Sequence, residues 1–167
     1  MVKVRRPVIL SLVVLVVDQL SKFCVFKWLS PLQSVRVIGD FMKITLIQNP
    51  GGIFGLQLKI PFIPITIFAI CIICMILYRS STSALSIILG GAIGNLVDRI
   101  RFGAVIDFLD FGMGSLRWPV FNIADAAVTI GIGWLLVREL SCKRAKYKIH
   151  DNNIKYQKSN IKMTNQK

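Results

Sequence analysis

Residues 90–125 read GGAIGNLVDRIRFGAVIDFLDFGMGSLRWPVFNIAD, and the fold turns on how this stretch is understood. It leaves one apolar run, crosses a mixed connection and enters a second apolar run. On the way it sets Asn95, Asp98, Arg99, Asp107, Asn122 and Asp125 within or beside sequence suited to hydrocarbon. If the flanks are membrane spans, polar groups placed there are costly and mark a functional site by default.

Composition says that they are spans. Of 167 residues, 54 % are hydrophobic and only 17 % charged, and the mean hydropathy is +0.62. That is too apolar for an ordinary soluble domain and fits a polytopic membrane protein. Working outward from residues 90–125, four runs approach the ~20 residues that cross a bilayer: about 7–28, 61–78, 84–100 and 120–137. The first begins like a signal peptide, after basic residues. No small-x-small site follows it, and Asp18, Gln19 and Lys22 interrupt its second half, so an uncleaved span is expected. The link 80–83 between the second and third runs is short, which makes them antiparallel neighbours. Gly90 and Gly94 form a G-x-x-x-G that permits close helix packing.

The net charge is +13 and is unevenly spread. Lys3, Arg5 and Arg6 precede the first run, and nine more Lys and Arg lie from Arg138 to Lys167 against only Glu139 and Asp151. Beside spans, such ends mark the cytoplasmic side and touch anionic lipid; nucleic acid is not the expected partner. Both termini are therefore expected in the cytoplasm. Residues 141–167 are polar and basic and are expected to be a disordered tail. Residues 1–140 form the membrane domain.

The connections 29–60 and 101–119 then face outward. SVRVIGDFMKITLIQN, residues 34–49, alternates apolar with polar and predicts two strands with a turn at Gly39-Asp40. NPGGIFG, residues 49–55, follows; its glycines suit either a plain turn or close approach of backbone to a ligand. Residues 101–119 read as a connection that is amphipathic in parts. Cys71 and Cys74 make a C-x-x-C, but within an apolar span cysteine acts as a small hydrophobe.

With this topology the polar groups converge. Asp18 and Lys22, Asn95, Asp98 and Arg99, and Asn122 and Asp125 all fall near the outer ends of their spans, with Asp107 in the connection between. Asp18 and Lys22 are spaced i,i+4 and can form a structural ion pair. Asp98 lies beside Arg99, which favours a permanently ionised carboxylate. Asp107 and Asp125 lack a basic sequence neighbour and are the expected chemical pair. Two close carboxylates cannot both ionise easily, so one activates water while the other donates a proton. The single histidine, His150, lies in the tail, so no metal set competes. No serine stands beside a base in these segments.

DQLSK (18–22), NPGGIFG (49–55), GNLVDR (94–99), VIDF (105–108) and FNIADAA (121–127) together resemble the ordered motifs of bacterial lipoprotein signal peptidase, signal peptidase II. The resemblance covers about the first 140 residues. It implies a four-helix membrane aspartyl protease with an extracytoplasmic β-rich cradle and a short outer helix. It implies cleavage of prolipoproteins before a diacylglyceryl-modified cysteine, and competition by the cyclic peptide globomycin. Its catalytic pair falls on Asp107 and Asp125. Its supporting positions fall on Asp18, Lys22, Asn49, Gly51, Asn95, Asp98, Arg99, Asn122 and Ala124. Gly52-Ile53 departs from the family, which has small residues before the aromatic. No cofactor or metal is implied. The expected partners are lipidated precursors and membrane lipid, and the expected protein is a monomer.

Two rivals are weighed. A small ion-coupled transporter also buries Asp and Lys, but it needs polar groups along the whole depth, and the inner halves here are nearly bare. A non-enzymatic scaffold for lipoprotein traffic needs no pair of aspartates.

Overall fold

The computed structural model describes residues 2–53, 56–57, 61–79 and 82–164. Helix α1 (Val2–Trp28) is followed by strands β1 (Ser34–Ile38), β2 (Met42–Asn49), β3 (Gly52–Ile53) and β4 (Leu56–Gln57). Helices α2 (Phe62–Arg79) and α3 (Ser83–Phe102) come next. Strands β5 (Val105–Met113) and β6 (Leu116–Arg117) and helix α4 (Ile123–Thr164) complete the chain.

Among the described residues three helices are long and apolar enough to cross a membrane: Pro7–Trp28, Phe62–Arg79 and Ser83–Phe102. Their apolar side chains point outward. No residue of α2 is buried, and Leu12, Phe23 and Phe68 are more than half exposed. Helices that are apolar all round need an apolar medium, which the bilayer supplies. The first part of α4 is also apolar, but it carries Asp125 and meets Arg138 and Glu139 within four turns.

Packing among the spans depends on small residues. A Cβ on Gly90 would collide with the backbone and Val14 side chain of α1, and one on Gly94 would strike the Asp18 carboxylate. The G-x-x-x-G pair thus lets α3 lie close against α1.

The predicted hairpin is present: β1 pairs antiparallel with β2, and Gly39 turns at φ +50°. The other side of β2 carries β5, so the four-stranded sheet runs β1-β2-β5-β6. The sequence did not predict β5. VIDFLDFGM is buried at Val105, Ile106, Asp107, Phe108 and Asp110, so it lacks the one-sided alternation of a half-exposed strand. Among the described residues there is no short outer helix. The connection 101–119 is extended instead, as its β-branched and aromatic residues favour.

Leu46, Ile106 and Phe108 of the sheet and Val25 of α1 make a small core, with Leu29, Ile44, Leu109 and Ile123 packed against it. This core seats β5 across the helix ends. The chain forms two compact units, Met1–Ile132 and Gly133–Lys167. In the second, α4 runs on to Thr164 through the basic stretch expected to be disordered. After Gly133 that stretch has neither glycine nor proline to stop a helix.

Candidate active site

Two helices supply a buried charged base. Asp18, Gln19 and Lys22 lie on α1, and Asn95 and Asp98 lie on α3. Lys22 Nζ stands 2.8 Å from Asp18 Oδ2 and 2.8 Å from Asp98 Oδ2. It donates a third bond, of 3.0 Å, to Asn95 Oδ1. All three ammonium protons are therefore used. Asp18 is fully buried and Lys22 and Asp98 nearly so. The Asp18–Lys22 pair is as the spacing predicts. The cation of Asp98 is not: it is Lys22, from another helix, rather than the adjacent Arg99.

The remaining oxygens of this base hold the next layer. Asp18 Oδ1 accepts the Ala124 N–H at 2.8 Å. That group is one of the unsatisfied donors in the first turn of α4, where a carboxylate is favourable. Asp98 Oδ2 accepts the Ile106 N–H at 3.1 Å and so fixes the start of β5. Gln19 Nε2 donates to Asp98 Oδ1 (3.0 Å), Asp18 Oδ2 (3.2 Å) and the Gly94 carbonyl (3.2 Å). No role for Gln19 follows from the sequence. Only its place one residue after Asp18, in the polar interruption of the span, hinted at it.

Asp107 and Asp125 lie above this base. Register carries Asp107 there: β2 and β5 pair Ile47 with Asp107 and Asn49 with Val105. Asn49 is thus a diagonal neighbour of Asp107 on one sheet face, and its Nδ2 donates to Asp107 Oδ2 at 3.0 Å. On the other side Phe121 bridges to Leu109, with bonds of 2.7 and 3.1 Å. This sets Asn122 beside β5 just as α4 begins.

Asn122 is wholly buried and joins the two aspartates. Its Nδ2 donates to Asp107 Oδ1 at 2.7 Å and to Asn95 Oδ1 at 3.2 Å. Its Oδ1 accepts the Asp125 N–H at 2.8 Å, while Asp125 Oδ2 reaches back to the Asn122 N–H at 3.4 Å. This is a reciprocal cap on α4, with asparagine at the cap and aspartate three residues on. Asn95 Nδ2 donates to Asp125 Oδ1 at 2.8 Å. Among the described residues, both carboxylates accept their hydrogen bonds from amide N–H groups.

The Asp107 carboxyl is pushed up to about 6, first by burial. The Asn49 and Asn122 hydrogen bonds act against the rise, and the nearby Asp125 charge adds to it. A carboxyl in that range can change protonation near neutral pH.

The predicted residues come together with two differences of role. Gly51 acts through the loop: at φ +106°, its N–H bonds Asn49 Oδ1 at 3.0 Å, and a Cβ would run into the Phe62 ring. Only glycine fits there without displacing Asn49. Arg99 stands to one side, its guanidinium 5.3 Å over the Phe62 ring. Its Nη1 is 3.4 Å from the Asn95 carbonyl, and its Nε has no hydrogen-bond partner among the described residues. It interacts with Asp125, Asp107 and Asp98 through charge alone.

A further cluster went unnoticed in the sequence. Asp110, also on β5, meets Arg117 Nε at 2.6 Å and Thr45 Oγ1 at 2.9 Å. It is three residues from Asp107 and so faces away from the pair.

The model of the family described as signal peptidase (SPase) II matches residues 10–141. A lipoprotein signal peptidase of Syntrophus aciditrophicus is 41 % identical over 161 residues, spanning 85 % of this chain and 99 % of the relative. Another, of Moorella thermoacetica, is 41 % identical over 133 residues, spanning 74 % and 85 %. Two solved structures of a bacterial membrane enzyme superpose with TM-scores of 0.74 and 0.73 at 27 % and 28 % identity. Each covers 81 % of this chain, and the matches span 88 % and 92 % of the solved chains.

Proposed function

This chain belongs to the signal peptidase II family, and from that premise we propose that it is an aspartic endopeptidase with Asp107 and Asp125 as its catalytic pair. As a member of that family it removes signal peptides from prolipoproteins, and it is a membrane peptidase of the bacterial inner membrane. The observation that carries the aspartic reading is the double role of Asn122, which donates to Asp107 and caps Asp125 in one buried spot. Neutral amides hold both carboxylates without supplying a cation that would lock them in the charged form.

Chemically, the pair shares one proton. The ionised carboxylate takes a proton from water as that water attacks the scissile carbonyl, and the protonated partner donates to the carbonyl oxygen. The proton then passes to the leaving amine. Neither step calls for a metal or a cofactor. Asn49 and Gly51 line the substrate backbone, Asn95 and Asn122 orient the aspartates, and Arg99 offers charge at the edge of the site. Asp18, Lys22, Asp98 and the Ala124 N–H are the framework that holds β5 and α4 in place.

The apolar start of α4 serves as a fourth span beside the three candidate helices, within a membrane domain of residues 1–140. Both termini face the cytoplasm, as the basic ends imply, and the site lies near the outer face. There it meets a precursor cysteine carrying diacylglycerol, and the enzyme works as a monomer. The concentration of polar groups at one depth favours this reading over an ion-coupled carrier.

The test is incubation of the purified protein with a diacylated prolipoprotein and with its unmodified form, read by mass. Cleavage before the lipidated cysteine only, blocked by globomycin, is expected. Equal cleavage of both forms contradicts the lipid requirement, and cleavage of neither contradicts the substrate.

A further inference from the structure

A second cavity lies among the helix ends far from the aspartates. Helix α3 packs against both α1 and α2. The groove left between them holds about 360 Å³ and is walled by Pro7, Val8 and Leu12 of α1, Leu77 of α2, and Leu89 and Ile93 of α3. That volume is within the ordinary range for ligand pockets, roughly 300–1,000 Å³. The α1 wall ends at Leu12, about 9 Å of helix before Asp18. Val8 and Leu12 are half exposed, and Tyr78 at the mouth is 93 % exposed, so the groove opens to whatever surrounds the helices.

Its walls and its mouth ask for different chemistry. Ser11 lies in the wall, but its Oγ already donates to the Ser86 carbonyl at 2.8 Å and to the Pro7 carbonyl at 3.0 Å. Cys74, also in the wall, acts as a small hydrophobe there. A peptide backbone would leave its N–H and C=O groups unpaired against such walls. A further helix is about 10–12 Å across and seeks small residues rather than Leu and Ile. A hydrocarbon chain asks for neither. The mouth is cationic. Helix α1 carries Lys3, Arg5 and Arg6 in the turn before Pro7, and α2 ends on the exposed Arg79, next to Tyr78. The acids of α1, α2 and α3 are Asp18 and Asp98, and both are paired with Lys22 in the buried base. Nothing on these three helices offsets the charge at the mouth, and an exposed tyrosine there suits headgroup depth.

We propose that this groove binds one anionic phospholipid of the bilayer, with an acyl chain between α1 and α2 and its phosphate beside Arg79 and the basic start of α1. The lipid then ties α1 and α2 onto α3, the helix that carries Asn95 and Asp98, from the end opposite the aspartates. A ligand that binds only the folded chain stabilises it by mass action. The proposal does not depend on what the aspartates cleave. With the topology proposed above, the lipid belongs to the cytoplasmic leaflet.

The experiment titrates the full chain, purified in neutral detergent, with dioleoylphosphatidylglycerol and with dioleoylphosphatidylcholine. Bound lipid is read by native mass spectrometry and stability by the midpoint of thermal unfolding. Phosphatidylglycerol should bind one per chain and raise the midpoint, and phosphatidylcholine should bind at least ~10-fold more weakly, as the several basic residues at the mouth require. Arg79→Gln should weaken phosphatidylglycerol about fivefold, the worth of one basic side chain beside a charged surface, and leave phosphatidylcholine unchanged. Val8→Trp and Leu77→Trp, which fill the groove, should weaken phosphatidylglycerol at least ~10-fold, since excluding even two methylenes has that effect. Ile65→Trp, at an exposed position of α2 outside the groove wall, should not. In the wild-type chain, phosphatidylglycerol should slow alkylation of Cys74 by a lipid-soluble maleimide and leave Cys71, which is exposed but outside the wall, unprotected. That arm needs no variant to fold. Equal binding of the two lipids overturns the anionic site. Full binding by folded Val8→Trp and Leu77→Trp, or an unprotected Cys74, overturns the groove. Precursor cleavage is assayed separately, so none of these results bears on the peptidase reading.

Discussion

Asp98 and Asp107 are both buried carboxylates close together in the chain, and they face different partners. Asp98 meets an ammonium group 2.8 Å away and also holds the Ile106 N–H. Asp107 meets the amides of Asn49 and Asn122. A buried carboxylate matched by a cation and a backbone N–H is held in place and serves as a joint. One matched by neutral donors keeps its place while its charge can still change. The two regions are also coupled in sequence: the Asp98 joint grips Ile106, the residue just before Asp107. A rigid charged base thus orients a carboxylate that remains free to titrate.

The comparison breaks most severely if the base loses its cation. Lys22→Ala leaves Asp18 and Asp98 buried without their ammonium, which should cost about 3–5 kcal/mol of stability. Denaturant or thermal unfolding in detergent measures this. A loss below about 1 kcal/mol would mean that water reaches the base and that it is no different from the pair above it.

Asp107 should show the opposite sign. Its folded value, about 6, lies above the ordinary 3.8, so the folded state holds a proton there that the unfolded state has lost. Its contribution to stability is therefore full below about pH 4 and is lost as pH rises through about 6. The stability of Asp107→Asn relative to wild type should rise across that interval by no more than about 3 kcal/mol and stay level above it. A flat difference from pH 4 to 8 would contradict a carboxyl that changes protonation in that interval.

Smaller effects sharpen the boundary. Asn122→Ala removes the α4 cap, at about 1–2 kcal/mol. It also removes a bond that holds the Asp107 carboxyl down, so the acid limb of the pH–rate profile should move to higher pH. Loss of stability with an unmoved acid limb would reduce Asn122 to a cap. Arg117→Ala breaks the part-exposed pair with Asp110 at the far end of β5. It should cost about 1 kcal/mol or less and leave the rate and its pH profile unchanged.

The sequence carried three of the expected spans because hydropathy is a local property, and it carried β1 and β2 because alternation and Gly39-Asp40 are local too. The meeting of Asp18, Asn95, Asp98, Asn122 and Asp125 could be expected from where each falls in its apolar run. What escaped were long-range choices. The neighbour of Asp98 in sequence is Arg99, but a helix points adjacent residues to different faces, and Lys22 of α1 arrives instead. Strand β5 hid because both of its faces are covered. Gln19 and the Asp110–Arg117 pair looked like scattered polar residues until the sheet and the helix contacts gave them partners. The helix beyond residue 140 was missed because charge outweighed the absence of breakers.

The most direct test of the division between joint and chemistry is the single-turnover rate of lipidated-precursor cleavage by folded Asp98→Asn, Asp107→Asn and Asp125→Asn. Asp107→Asn and Asp125→Asn should each fall at least ~100-fold, the scale of a lost general acid or base. Asp98→Asn should be less stable yet keep measurable turnover in the fraction that remains folded. Near-normal cleavage by Asp107→Asn or Asp125→Asn, or an inactive but stable Asp98→Asn beside an active Asp107→Asn, would contradict the account.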